Sequence, residues 1–149
     1  MNKDRFLGMC VVLAIGDALG TPFEFEYGRL PYKSKLVEHG QFKLGQVSDD
    51  SEMMIACLNT LDKNKKWVED EVIMAYSDWV RSGPPDLGVN TVQLFYSMMP
   101  SKALANYKAH KESKLSQPIH MWSESNGCLM RNAVLAFFEP SQNIWLQVY

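Results

Sequence analysis

An all-α fold is what this sequence predicts, and three observations carry that reading. Apolar residues recur at helical spacing in several separate runs, no strong alternating strand pattern is visible, and Pro- and Gly-marked segments break the runs apart. The 149 residues, 46% hydrophobic and 21% charged, suit one compact domain spanning 1–149, expected as an orthogonal multi-helix bundle with a sizeable core.

Phe6 to Leu19 is apolar on all sides and carries the small residues Gly8, Ala14 and Gly16, so it is expected as a central helix with neighbours packed closely around it. Gly20-Thr21-Pro22 marks its end. From Phe23 to Gly45, Gly28, Pro31, Gly40 and Gly45 interrupt aromatics and charges, which suits a long irregular loop. Met53, Met54, Cys57, Leu58 and Leu61 share one helical face, with Asn64 as a stop, and Val68, Val72, Ala75, Tyr76 and Trp79 share another. Ser82-Gly83-Pro84-Pro85-Asp86-Leu87-Gly88 breaks the chain. Further helices are expected from about Asn90 to Met99, Ala103 to His110 and Gly127 to Phe138.

A formal net charge of −2 gives no general attraction to phosphate backbones or anionic lipid, so neither a nucleic-acid nor a membrane partner has electrostatic support. Cys10, Cys57 and Cys128 lack the paired spacing of a zinc site and the density of a disulfide scaffold, which points to reduced thiols and an intracellular, cytoplasmic setting. The apolar run from Phe6 to Ile15 reads as too short to span a bilayer and leads into Gly16-Asp17 with no clear cleavage site.

Ser48-Asp49-Asp50-Ser51, followed by Glu52-Met53-Met54, is the most telling stretch. Adjacent carboxylates repel, and with a hydroxyl beside them they form a hard oxygen set suited to magnesium or calcium. Asp49 with Glu52 three residues on is also a capping box, and both readings stand at this level. Asp17 closes an apolar helix, where a carboxylate needs a partner: either backbone N–H groups of the turn at Leu19 to Thr21, or a cation. Glu24 and Glu26 share one side of an extended segment, as a general base or as solvated surface. Ser125-Asn126-Gly127 opens a helix whose bare N–H groups suit a phosphate, with the Ser123 hydroxyl beside it; the same residues form an ordinary turn. Arg131, one helical turn inside, is expected either at the surface or paired with Asp17, Asp50 or an anionic ligand.

Taken together these segments resemble the ADP-ribosylglycohydrolase family, which includes the dinitrogenase-reductase-activating and ADP-ribosyl-acceptor hydrolases. Gly16-Asp17-Ala18-Leu19-Gly20-Thr21-Pro22-Phe23-Glu24-Phe25 is similar to the family's opening helix and Glu-bearing loop. Ser48-Asp49-Asp50-Ser51-Glu52-Met53 stands where the family commonly has Thr-Asp-Asp-Thr and a Met. Ser82-Gly83-Pro84-Pro85-Asp86-Leu87-Gly88 with Thr91 is similar to its Pro-x-Asp-x-Gly-x-x-Thr loop. Asn126-Gly127-Cys128-Leu129-Met130-Arg131 is close to its Gly-Asn-Gly-x-x-Met-Arg stretch, with Ser125 in place of the first Gly.

The resemblance implies an all-helical fold around a two-metal centre, usually Mg2+ and sometimes Mn2+, that hydrolyses the N- or O-glycosidic bond between ADP-ribose and a protein side chain. Ser48, Asp49 and Asp50 are then the expected metal ligands. Glu24, Asp49 and Asp50 are the expected catalytic group, and Asp17 is a supporting carboxylate. Ser123, Asn126 and Gly127 are expected along the diphosphate and ribose, with Asp86 and Gly88 shaping the adjacent loop. The implied partner is ADP-ribose or an ADP-ribosylated protein. Family members run to roughly twice this length, and their second half carries an Asp-x-Asp-Thr motif that nothing after Arg131 resembles. The chain is therefore expected as the amino-terminal part of such a hydrolase, completed by a second chain or an oligomeric partner. A non-catalytic ADP-ribose-binding module and a vestigial or structural helical protein are the alternatives.

Overall fold

The computed structural model describes residues 3–24, 35–117 and 127–136. Its elements run α1 (Lys3–Gly20), a 3-10 turn (Thr21–Phe23), α2 (Asp49–Asn64), α3 (Glu69–Arg81), α4 (Val89–Phe95), α5 (Pro100–Leu115), α6 (Gly127–Arg131) and a second 3-10 segment (Asn132–Ala136). Among the described residues there is no β-strand; the extended pairing is one isolated antiparallel bridge, His39 with Phe42. The fold is all-α, as the periodicity predicts.

The core lies between α2 and α3. Met53, Met54, Cys57 and Leu61 of α2 pack with Val72, Ile73, Tyr76 and Val80 of α3, and Phe6, Phe95, Val134 and Leu135 close the cluster. Each large apolar side chain buried here contributes roughly 1.5–3 kcal/mol against leaving it in water. A polar link reinforces the pair: Trp79 Nε1 donates to Glu52 Oε2 at 2.6 Å. α5 packs across α3, where Lys108 meets Asp70 at 2.8 Å and Lys111 meets Glu69.

Helix ends follow local chemistry. Lys65 takes the left-handed conformation (φ 55°) after Asn64, and its N–H returns to the Leu61 carbonyl, closing α2. α4 stops at Phe95, short of the expected Met99. Pro100 opens α5, and the residue before a proline is driven out of the helical region; Met99 accordingly sits at φ −119°, ψ 122°. α5 in turn runs on to Leu115, beyond the expected His110, with charged and polar residues along its length. The last expected helix is helical from Gly127 to Arg131 and tightens to 3-10 geometry from Asn132 to Ala136.

The expectation for α1 needs correction. Phe6 and Ala18 are buried and Met9, Cys10 and Leu13 pack on the core, but Leu7, Val11, Val12 and Ile15 are exposed, Val12 at 68%. The helix is apolar all round, yet among the described residues it meets α2 and the second 3-10 segment on one side. It is also longer than its apolar run suggests: Lys3–Phe23 has the length and composition to cross a membrane, which the run to Ile15 taken alone does not.

Candidate metal and substrate site

The site is built where α1 ends against the start of α2. Asp17 lies in the last turn of α1, the negative end of that helix's own dipole, an unfavourable place for a carboxylate unless donors come from elsewhere. They come from the first turn of α2. Asp17 accepts from the Ser48 N–H at 3.0 Å (Oδ2) and 3.2 Å (Oδ1), from the Ser51 N–H at 3.2 Å and from the Ser48 hydroxyl at 2.6 Å. These are N–H groups that a helix start leaves unpaired. The sequence offers Asp17 either the N–H groups of its own turn or a cation as partner; in the structure its donors are instead Ser48 and Ser51, which makes it a cap supplied across the tertiary interface. The Thr21 hydroxyl bonds the Asp17 carbonyl at 3.0 Å and holds the end of α1 in place.

The capping-box reading of Asp49 with Glu52 is also corrected. Ser48 is the N-cap, its oxygen taking a long hydrogen bond of 3.4 Å from the Asp50 N–H, and Glu52 is engaged by Trp79. Asp49 and Asp50 occupy the first helical positions, with their carboxyl groups released from capping.

Asp86 and Gly88 come from the broken segment between α3 and α4. A Cβ at Gly88 would lie in ordinary contact, 3.5 Å from Thr91 Oγ1 and 3.9 Å from Asp49 Oδ2, which places this loop beside the first turn of α2. Gln41 Nε2 ties the 39–42 turn to the Pro85 carbonyl on the same loop. Glu24, directly after the first 3-10 turn, reaches the same place and hydrogen-bonds Asp86.

Carboxylates from three stretches of sequence therefore face one another. Burial, followed by the charges of Asp86, Asp50, Glu24 and Asp17, pushes Asp49 up to about 6. Burial and then Asp17 and Asp86 raise Asp50, and burial and then Asp86, Asp50 and Asp17 raise Glu24. None of the ion pairs among the described residues brings a Lys or Arg to this group. A group held protonated in the fold stabilises it at low pH, and the benefit is lost as pH rises from the unfolded value of 3.8 through about 6 for Asp49. In EDTA, the melting temperature at pH 5.5 is expected to exceed that at pH 7.5 by about 3 °C, allowing for solvent screening at a half-exposed site. Asp49→Asn should flatten that slope; an unchanged slope would assign it to other groups.

A divalent cation answers this electrostatic need, and the donor set is the hard-oxygen kind that magnesium and manganese take. The fit is one of chemistry and charge. Among the described residues no three His, Cys, Asp or Glu groups already converge to ligating distance.

Other expectations fare differently. Arg131 pairs with neither Asp17 nor Asp50: its guanidinium lies 5.2 Å from the Tyr76 ring centroid and 6.0 Å from that of Phe95, with Nη1 3.7 Å from Met53 Sδ. Gly127 opens α6, but Ser123 and Asn126 lie outside the described residues, as does Glu26. The roles of Glu52 in holding Trp79 and of Asp17 in capping α2 were missed. The signal for Asp17 was available, since an acidic residue at a helix C-terminus is on the wrong end of the dipole.

Among the described residues, then, this is an all-α protein whose helix termini gather hard carboxylates that no Lys or Arg ion pair opposes. Residues 1–148 match the ADP-ribosylglycohydrolase family, and the chain belongs to it. It is 29% identical over 128 residues to a protein of Acanthamoeba polyphaga mimivirus named as an ADP-ribosyl glycohydrolase, covering 78% of this chain and 36% of that one. It is 33% identical over 95 residues to the ADP-ribosyl dinitrogen reductase glycohydrolase of Rhodospirillum rubrum, covering 57% of this chain and 31% of that one. The matched region thus spans about a third of the length of each relative.

Proposed function

We propose that this chain forms part of a metal-dependent hydrolase that cleaves the N- or O-glycosidic bond between ADP-ribose and a protein side chain. The observation that carries the reading is the convergence of Asp17, Glu24, Asp49, Asp50 and Asp86, in which burial and the neighbouring charges raise the proton affinity of Glu24, Asp49 and Asp50, with no opposing Lys or Arg ion pair among the described residues. Family membership supplies the reaction class. Ser48, Asp49 and Asp50 would hold magnesium or manganese, which when bound supplies Lewis-acid polarisation of ribose hydroxyls and water. Glu24, exposed at the mouth of the group, would orient the attacking water or a ribose hydroxyl by accepting its proton in a hydrogen bond. Asp86 would share that proton, and Gly88 would leave room for substrate beside Asp49. Ser123, Asn126 and Gly127 would line the diphosphate. Since the chain corresponds to about a third of its relatives' length, further ligands would come from additional polypeptide, in the same chain or a second one.

Calorimetry with MgCl2 followed by ADP-ribose tests the reading. Magnesium uptake, and ADP-ribose binding that disappears in EDTA, is the expected result; a folded chain that binds neither ends the proposal. Binding without release of ADP-ribose from a modified protein would favour the ADP-ribose-binding module, an outcome consistent with the short span.

A further inference from the structure

Ser48 owns one hydroxyl proton, and the 2.6 Å contact commits it to Asp17 Oδ1. The same oxygen accepts a weak hydrogen bond, at 3.4 Å, from the Asp50 N–H. Those two bonds use the proton and one lone pair of Ser48 Oγ, which leaves its second lone pair to accept from a further group, on a residue that is otherwise buried. Asp17 is itself immobilised. Both of its oxygens take backbone N–H groups of the first turn of α2, and its carbonyl is held by Thr21 Oγ1. A free serine hydroxyl rotates and can turn its proton toward an incoming cation, which repels it; this one cannot without breaking its shortest bond.

We propose that Asp17 is a positioning residue for the metal centre: it captures the Ser48 hydroxyl proton so that the oxygen meets the cation as an acceptor only. This rests on the reading of Ser48 as a metal ligand. The arrangement has the logic of outer groups that orient a ligand and raise its basicity, whose loss commonly weakens metal binding by about 10–100-fold. It also joins docking to function, because the bonds that seat α1 on α2 are the bonds that set the hydroxyl.

Asp17→Asn keeps the shape but removes the charge and turns an amide donor toward groups that donate. Magnesium affinity is measured by calorimetry on protein shown folded by circular dichroism, and melting temperature is measured with EDTA and with magnesium. A merely structural role lowers the melting temperature equally in both conditions and leaves the dissociation constant alone. Positioning weakens the dissociation constant by about 10-fold or more and shrinks the magnesium-induced rise in melting temperature. In a Ser48→Ala background the same substitution should then weaken magnesium binding little further. Should Asp17→Asn not fold, Asp17→Glu keeps the charge and displaces the acceptor, and the same weakening is expected. Wild-type chain that takes up magnesium with a variant of equal affinity overturns this inference alone. Wild-type chain that takes up none removes the functional reading beneath it.

Discussion

Asp49→Ala combined with Asp50→Ala should abolish magnesium uptake, with affinity falling by about 1,000-fold or more, while the metal-free protein stays folded. The two halves of that expectation come from the same geometry. Asp49 and Asp50 sit at the first positions of α2, where acidic groups favour the helix dipole by about 0.3–1 kcal/mol each. Burial, followed by repulsion from Asp86 and between the two carboxylates, opposes this and pushes Asp49 up to about 6. Removing both charges loses the first effect and relieves the second, so the melting temperature in EDTA should move by only a few degrees. The cap survives, because Ser48 and Asp17 provide it. Calorimetry and differential scanning fluorimetry with and without magnesium read both halves. Retained magnesium uptake by the folded double variant would remove these carboxylates from the centre.

Phe95→Ala should be the most damaging single change to stability, costing about 3–5 kcal/mol, or roughly 10–15 °C in melting temperature for a chain of this size. Phe95 is 1% exposed; its ring meets Tyr76 edge-on at 5.2 Å and stacks on Tyr107 at 5.9 Å, with Arg131 above. It joins α3, α4, α5 and α6 at one point. α4 spans only seven residues, of which Thr91 and Phe95 are buried, so losing the ring frees the helix that anchors the Asp86–Gly88 loop. Weaker magnesium binding should therefore accompany the lost stability. Chemical denaturation and calorimetry on the same sample test the pair of effects, and a cost below about 1 kcal/mol would contradict this packing.

Much of the architecture is legible because helices are local. The Met53–Leu61 and Val72–Trp79 patterns place two apolar stripes that can only bury themselves against each other, and α2 and α3 do so. The shortfall at α4 goes with Pro100, whose effect on Met99 outweighs the apolar residues on either side. α1 misled for a different reason. Apolarity on every side says that a helix wants partners, and it says nothing about whether this stretch of polypeptide supplies them; α2 and the second 3-10 segment cover one side.

For the site, residue type and spacing sufficed to pick out Ser48, Asp49, Asp50, Asp86 and Gly88, since adjacent carboxylates and glycine-bearing breaks are visible in one dimension. Arg131 was misjudged because a guanidinium serves an aromatic face as readily as a carboxylate, and the rings of Tyr76 and Phe95 reach it only through folding. Asp17 shows the same limit.

By itself, then, the amino-acid order determined the helical class, the chemistry of the acidic stretch and membership of the family, because periodicity and motif are properties of neighbours along the chain. Only the tertiary structure decided which carboxylates face one another, that Ser48 rather than Asp49 caps α2, and that Asp17 closes that cap from another helix. Those outcomes depend on distances of about 3 Å between residues some thirty positions apart, and hydrogen bonds and charge repulsion act at that range whatever the separation in sequence.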